Sequence, residues 1–226
     1  MTFAQMVKPS SSNKNFVFEV SVFKCGENEF KGRDTFVIAC GEIRFENNNI
    51  TNNKCNYFSS IGIAIYRGPS TCKFSTFREN KQTDTDSLVF DIATELPDGS
   101  PSIQTVSYCN IIGNDCGTGQ EQILLVCFYT TTNVDHCIFL NNTAQFMFSQ
   151  EYEGYILTIS DSYVESMSKK SGTVTFKDLT KNSDFNTFTH LFSNNCFNNP
   201  YKIISNELLY LSKLVNTLIV GLLLSK

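Results

Sequence analysis

Apolar and polar positions return along the chain in one short pattern. In "HCIFLNN" (136–142), Phe139 lies five residues after the apolar Val134 and three residues before Asn142. This template of an apolar anchor, an earlier apolar residue and a later polar residue recurs at irregular intervals. Its seven anchors are Cys25, Ile50, Phe77, Ile111, Phe139, Tyr163 and Cys196. Their spacing of 24 to 34 residues is typical of solenoid repeats.

The polar position after the anchor is Asn in six of the seven units, and the unit of Tyr163 has Ser166 instead. Asn tolerates a left-handed backbone better than other non-glycine residues, so we expect the chain to turn at these positions. In coils stacked about 4.8 Å apart, the Asn side chains would also hydrogen-bond from coil to coil as a ladder. The predicted ladder consists of Asn28, Asn53, Asn80, Asn114, Asn142 and Asn199.

A second apolar segment follows each anchor after a loop. Such segments, for example "SIGIAIY" (60–66) and "ILLVCFY" (123–129), are short, rich in β-branched and aromatic residues, and bounded by polar clusters. They predict strands rather than helices. Three strands per unit predict an all-β fold, a parallel β-helix of about seven coils over residues 16–205. A β-sandwich is the alternative, although it does not explain an Asn recurring after an apolar anchor.

The two ends of the chain differ from this repeat. Residues 1–15 are predicted to be a disordered or capping segment, and residues 206–226 a C-terminal hydrophobic helix beginning at the N-cap Asn206. The apolar run 208–224 is near the lower length limit for crossing a bilayer, and Lys213 and Asn216 interrupt it. Two interpretations stay open: a membrane anchor, or a helix that caps the open end of the solenoid.

Four short motifs add a family resemblance. Phe45-x-x-Asn48, Phe77-x-x-Asn80, Phe139-x-x-Asn142 and Phe192-x-x-Asn195 resemble the F-x-x-N repeat of polymorphic outer-membrane proteins and related surface adhesins. "SIGIAI" (60–65) is similar to their companion G-G-A-[ILV] motif. A looser resemblance, to the pectin-lyase-like repeat regions of large surface proteins, covers residues 16–205. The resemblance implies a right-handed parallel β-helix that is secreted or on a surface, and often adhesive.

Composition and charge exclude some classes of protein. Hydrophobic residues make up 41% and charged residues 18%, which is typical of a folded domain. The net charge is -4 and the basic residues form no stripe, so nucleic acid is not an expected partner. The nine Cys are widely spaced without a C-x-x-C pair. They predict buried free thiols rather than a zinc site, with a disulfide framework as the less favoured alternative.

Candidate catalytic groups do not form an obvious set. β-Helix enzymes that cleave polysaccharides need clustered carboxylates, but the acidic residues here fall at different repeat positions, so they need not converge. His136 and His190 are too far apart to suggest a metal site, and Cys116 is the thiol we expect to be most exposed. The sequence therefore predicts no catalytic, cofactor or metal site. The carboxylates considered are Asp84, Asp86, Asp91, Asp115, Asp135 and Asp161.

These observations favour a non-catalytic β-helix scaffold, a cell-surface or membrane protein of the adhesin type. The alternatives are a carbohydrate-active, pectin-lyase-like enzyme, and a truncated product without independent function, suggested by the lack of a signal peptide at the N-terminus as written. The sequence does not identify a partner; the candidates are a carbohydrate, a host or cell-surface protein, or a membrane through 208–224. Asn49 and Asn141 begin glycosylation sequons, which matter only in a secretory lumen.

Overall fold

The computed structural model describes residues 3–6, 12–65, 69–83, 86–92, 103–119 and 121–184. They contain strands and no α-helix, and all lie within the compact unit Met1–Leu191; the second unit, Phe192–Lys226, lies outside them. The strands are β1 (Phe3–Met6), β2 (Lys14–Phe18), β3 (Ser21–Phe23), β4 (Phe36–Ala39), β5 (Glu42–Glu46), β6 (Asn49–Thr51), β7 (Ile61–Ile65), β8 (Ser70–Lys73), β9 (Thr76–Arg78), β10 (Asp86–Ile92), β11 (Ile103–Ser107), β12 (Asn110–Ile112), β13 (Ile123–Cys127), β14 (Thr131–Asp135), β15 (Ile138–Leu140), β16 (Phe146–Gln150), β17 (Ile156–Ser160), β18 (Tyr163–Val164) and β19 (Thr173–Lys177).

Up to β18, each strand pairs with the strand three places later in the chain, and β17 pairs with β19, so the chain winds through three parallel sheets. Sheet A has the order β1-β4-β7-β10-β13-β16, sheet B the order β2-β5-β8-β11-β14-β17-β19, and sheet C the order β3-β6-β9-β12-β15-β18. All the pairings between these strands are parallel. The fold is therefore the predicted all-β parallel solenoid, and the β-sandwich alternative is wrong because its strands would pair antiparallel.

The number of coils is smaller than predicted. The chain makes about five turns between β1 and β16, the first and sixth strands of sheet A, where the repeat pattern predicted about seven coils. The anchor Cys196, the ladder residue Asn199 and the C-terminal helix (206–226) lie outside the described residues. Within the described residues, no helix has the length and apolarity needed to cross a bilayer. The right-handed winding stays a prediction.

Columns of apolar side chains fill the interior. In sheet C the column runs through Val22, Ile50, Phe77, Ile111, Phe139 and Val164. In sheet B it runs through Val17, Phe45, Cys72, Val106, Val134, Ile159 and Phe176. Rings from the sheets meet across the core, as where Phe45 stacks on Phe77 with ring centroids 6.0 Å apart. Since these side chains are mostly fully buried, their burial is the main stabilising term.

Two predicted anchors are wrong by a small shift. The sheet C column contains Val22 instead of Cys25 and Val164 instead of Tyr163. In the first unit, apolar residues are closely spaced, so the template fits Val22 and also Cys25, three residues later. In the Tyr163 unit, it is off by one residue, which in a strand exchanges the inner and outer faces.

Left-handed residues mark two of the turns between sheets. From sheet C to sheet A, a residue with positive φ lies two positions after the anchor, for example Asn52 (φ 56°) and Glu79 (φ 54°). One position later lie the ladder residues Asn53, Asn80, Asn114 and Asn142, and none of these four has a positive φ. The prediction of a left-handed asparagine is therefore wrong at these positions. From sheet B to sheet C the left-handed residues are Glu19, Asn47, Phe74, Tyr108, His136, Asp161 and, after β19, Asp178.

Candidate functional site

The asparagine ladder lies inside the solenoid and is structural. Asn53 donates from Nδ2 to Oδ1 of Asn80 at 3.0 Å, Asn80 donates to Asn114 at 3.1 Å, and Asn114 donates to Asn142 at 3.0 Å. Each Nδ2 also donates to an anchor carbonyl of the preceding coil, as from Asn80 to Ile50 at 2.8 Å. Because their amides are used in this way, these residues stabilise the corner and are not available to a ligand.

Asn28 is not part of this ladder. Its Oδ1 accepts a hydrogen bond from the backbone N–H of Phe30 at 3.0 Å. Cys25 occupies the ladder position of the first unit, where its backbone N–H donates to Oδ1 of Asn53 at 2.9 Å. The misplaced anchor and the misplaced Asn therefore have one cause, a template set three residues too late.

A second ladder at the corner between sheets B and C was not predicted. The backbone N–H of Asn48 donates to Ser75 Oγ at 3.1 Å, that of Cys109 to Cys137 Sγ at 3.4 Å, and that of Cys137 to Ser162 Oγ at 2.9 Å. The sequence signal is a small polar residue or Cys two positions before each sheet C column residue after Val22, namely Asn48, Ser75, Cys109, Cys137 and Ser162. Serine, cysteine and, at Asn48, asparagine thus do at this corner what asparagine does at the other.

The eight cysteines that the structure describes are free thiols. Burial raises the pKa of Cys109 and Cys137 well above the ordinary value and raises that of Cys127 to about 12. Cys116, expected to be the most exposed thiol, is fully buried, and burial raises its pKa as well. A nucleophilic thiol needs the opposite shift, so the protonated side chains of these four cysteines serve packing.

The outer side of the corner between sheets B and C carries a stack of rings. Phe74 stacks on Tyr108 with centroids 5.4 Å apart, and Tyr108 stacks on His136 with centroids 4.8 Å apart. The three residues occupy the same left-handed turn position in successive coils. Because the ring faces cover one another, the stack stabilises the turns and offers mainly ring edges to solvent.

An acidic groove, with a volume of about 330 Å³, continues the corner where the ring stack ends. Its described lining residues are His136, Ile138, Asp161, Asp178, Thr180, Asn182 and Asp184. Asp135 adjoins it, since its Oδ2 lies 2.8 Å from His136 Nδ1 and its Oδ1 accepts a hydrogen bond from Ser160 Oγ at 3.2 Å. This groove is the candidate functional site.

The acidic groove brings together residues that the repeat alignment placed at different positions. Ligand atoms of Asp135, His136 and Asp161 lie within 4.8 Å of one another, so two of the six carboxylates considered do come together. Asp161 takes the same turn position as His136 one coil later, and the one-residue slip at Tyr163 hid that equivalence. Two carboxylates and an imidazole are a donor set that a divalent cation accepts.

The remaining candidates lie elsewhere or outside the described residues. Asp86 and Asp91 are on strand β10, and Asp115 pairs with Lys81 at 3.4 Å. Asp84 and His190 are not among the described residues. The described residues of the acidic groove therefore all come from one corner, between β14 and residue 184.

The two glycosylation sequons differ in accessibility. The side chain of Asn49 is buried on β6, where its Oδ1 accepts a hydrogen bond from Thr51 Oγ1. Asn141 lies exposed at a left-handed turn. In the folded chain, only Asn141 of these two presents its amide to a modifying enzyme.

Comparison with known proteins returned no match. No family model, no curated protein and no solved structure matches this chain.

Proposed function

We propose that the chain is a non-catalytic binding scaffold of the adhesin type that presents its acidic groove at a cell surface. The observation that carries this proposal is the position of the groove at one corner of a solenoid whose turns are fixed by side-chain ladders. Such a scaffold holds surface groups in place at little entropic cost to binding.

The charge of the groove defines the ligand. Asp161, Asp178 and Asp184 line it, Asp135 adjoins it, and its described lining contains neither Lys nor Arg. Carboxylates that are not neutralised by the protein attract a cationic group, such as a Lys or Arg side chain of another surface protein. The F-x-x-N resemblance to surface adhesins supports the same proposal.

A lysine oligopeptide is the probe for this groove. We expect the full chain to bind it at low salt and to lose affinity as salt rises, because exposed charges are screened. Asp161→Asn and Asp178→Asn remove charge at left-handed positions that Asn tolerates, and each should weaken binding about threefold to tenfold. Glu153→Gln, an exposed change outside the groove, is the control. Equal affinities in all variants would refute the proposal.

A carbohydrate-active enzyme is the second candidate, favoured by the Asp135–His136 contact at 2.8 Å beside Asp161. Retaining glycosidases place two carboxyl groups about 5 Å apart. Reducing ends released from polygalacturonate or a β-glucan, and lost in Asp135→Asn and Asp161→Asn but kept in Glu153→Gln, would establish this activity. Absence of release by the folded chain would leave the binding role.

A further inference from the structure

The outer face of sheet B carries a regular uncharged array that no part of the proposed groove uses. On four successive strands, β11, β14, β17 and β19, two outward columns contain only Ile, Thr and Asn. One column pairs Ile103 with Thr131 and Ile156 with Thr173; the other runs through Thr105, Asn133, Thr158 and Thr175. These eight residues are called the threonine face below.

The threonine face is rigid and available to a ligand. Seven of its eight residues are β-branched, which restricts their χ1 angles. All eight are exposed or partly exposed, with Ile103 at 48% and Ile156 at 43%. Ser107, Asp135, Ser160 and Lys177 form its border on one side.

The size of the face argues against a protein partner. Four strands about 4.8 Å apart and a two-residue step of about 7 Å give a footprint of a few hundred Å² at most. A stable interface needs about 800 Å² from each partner, so a second copy would not be held by this face. The face also lacks aromatic rings and charges, which the binding of soluble sugars or ionic ligands usually requires.

We propose that the threonine face binds ice. Ice is uncharged, rigid and periodic, and the two repeats of the array, about 4.8 Å and about 7 Å, are close to the distances between rows of oxygen atoms on its exposed faces. Threonine hydroxyls take positions in the bound water layer while the methyl groups of Thr and Ile exclude disordered water. This proposal does not rest on the acidic groove.

Inhibition of ice recrystallisation by the full chain is the test. We expect the folded chain to inhibit it, and Thr158→Lys to need about tenfold more protein, because a charge on the face must be desolvated against ice. Thr158→Ser, which removes one methyl group without adding a charge, should cause a smaller loss. Thr143→Lys, at an exposed corner position away from sheet B, is the matched control and should match the parent chain.

Circular dichroism and thermal melting establish that each variant is folded. The proposal is overturned if the folded parent chain does not inhibit recrystallisation. It is equally overturned if Thr143→Lys loses as much activity as Thr158→Lys, or if a neutral soluble glucan binds the face with the same dependence on Thr158. Binding of the lysine peptide at the groove is measured separately, so failure of one proposal is distinct from failure of the other.

Discussion

At the scale of single residues, polar groups are placed where backbone groups of the next coil need partners. Asn80 shows this most completely: its Oδ1 accepts from the N–H and Nδ2 of Asn53, and its Nδ2 donates to Ile50 O, Ser60 Oγ and Asn114 Oδ1. Buried groups left without a partner cost more than a hydrogen bond usually contributes.

Asn80→Ala should therefore lower the free energy of unfolding by about 2–4 kcal/mol. The cause is loss of both the side-chain bonds and the partner of the Asn53 amide. Urea unfolding measures the effect. Asn28→Ala removes a local hydrogen bond to Phe30 and should change the free energy of unfolding by no more than about 0.5 kcal/mol. Equal losses in the two variants would show that the ladder hydrogen bonds stabilise the chain no more than this local bond does.

Because several thiols are buried, the stability of the chain should vary with pH in the alkaline range. Burial raises the pKa of Cys127 from 9.0 to about 12, so the folded state holds this proton more tightly than the unfolded state. The contribution is present below pH 9 and is lost as pH rises from 9 toward 12. Urea unfolding between pH 8 and 11 should show a shallower decline for Cys127→Ala than for Cys25→Ala, at a partly exposed cysteine. Identical slopes would contradict this.

At the scale of elements, the turns set the register, and glycines occur where backbone segments approach closely. Gly172 precedes β19 with φ +70°, and a Cβ there would lie 1.8 Å from the carbonyl oxygen of Gln150. Gly154 has φ +86° but no atom within 4 Å of such a Cβ. The two positions share backbone strain and differ in the clash.

Gly172→Ala should consequently destabilise the chain by at least about 2 kcal/mol more than Gly154→Ala. Both variants carry the cost of positive φ, and Gly172→Ala must also move β19 away from the adjoining coil. Thermal or urea unfolding of both variants measures the difference. Equal destabilisation would mean that β19 does not hold its described position against Gln150.

The elements also show what the sequence could predict. The anchors Ile50, Phe77, Ile111 and Phe139 share one column because apolar spacing and Asn position are read directly from the chain. The groove was missed because the anchor of the last described coil was placed at Tyr163 instead of Val164, so Asp161 was not aligned with His136. The serine and cysteine ladder was missed because its side chains vary in type while their positions do not.

At the scale of the whole molecule, the solenoid is a stack in which each coil contacts its neighbours. Coil boundaries can be read from the register: Asp115 and Thr143 are bridge partners, and so are Lys81 and Asp115. A chain in which Asn114 is followed directly by Thr143 thus omits one coil, β13 to β15, and keeps the remaining strands in phase.

Deletion of residues 115–142 should leave a folded and cooperative protein. Sheet A would then pair β10 with β16, and the core columns would continue through Ile111 to Val164. We expect β-type circular dichroism, with a lower urea m value because less surface is buried. Deletion of 115–128 removes half as many residues but shifts every later strand to the wrong sheet, so it should unfold the chain. If the half-coil deletion unfolds as cooperatively as the full-coil deletion, coil stacking does not determine this fold.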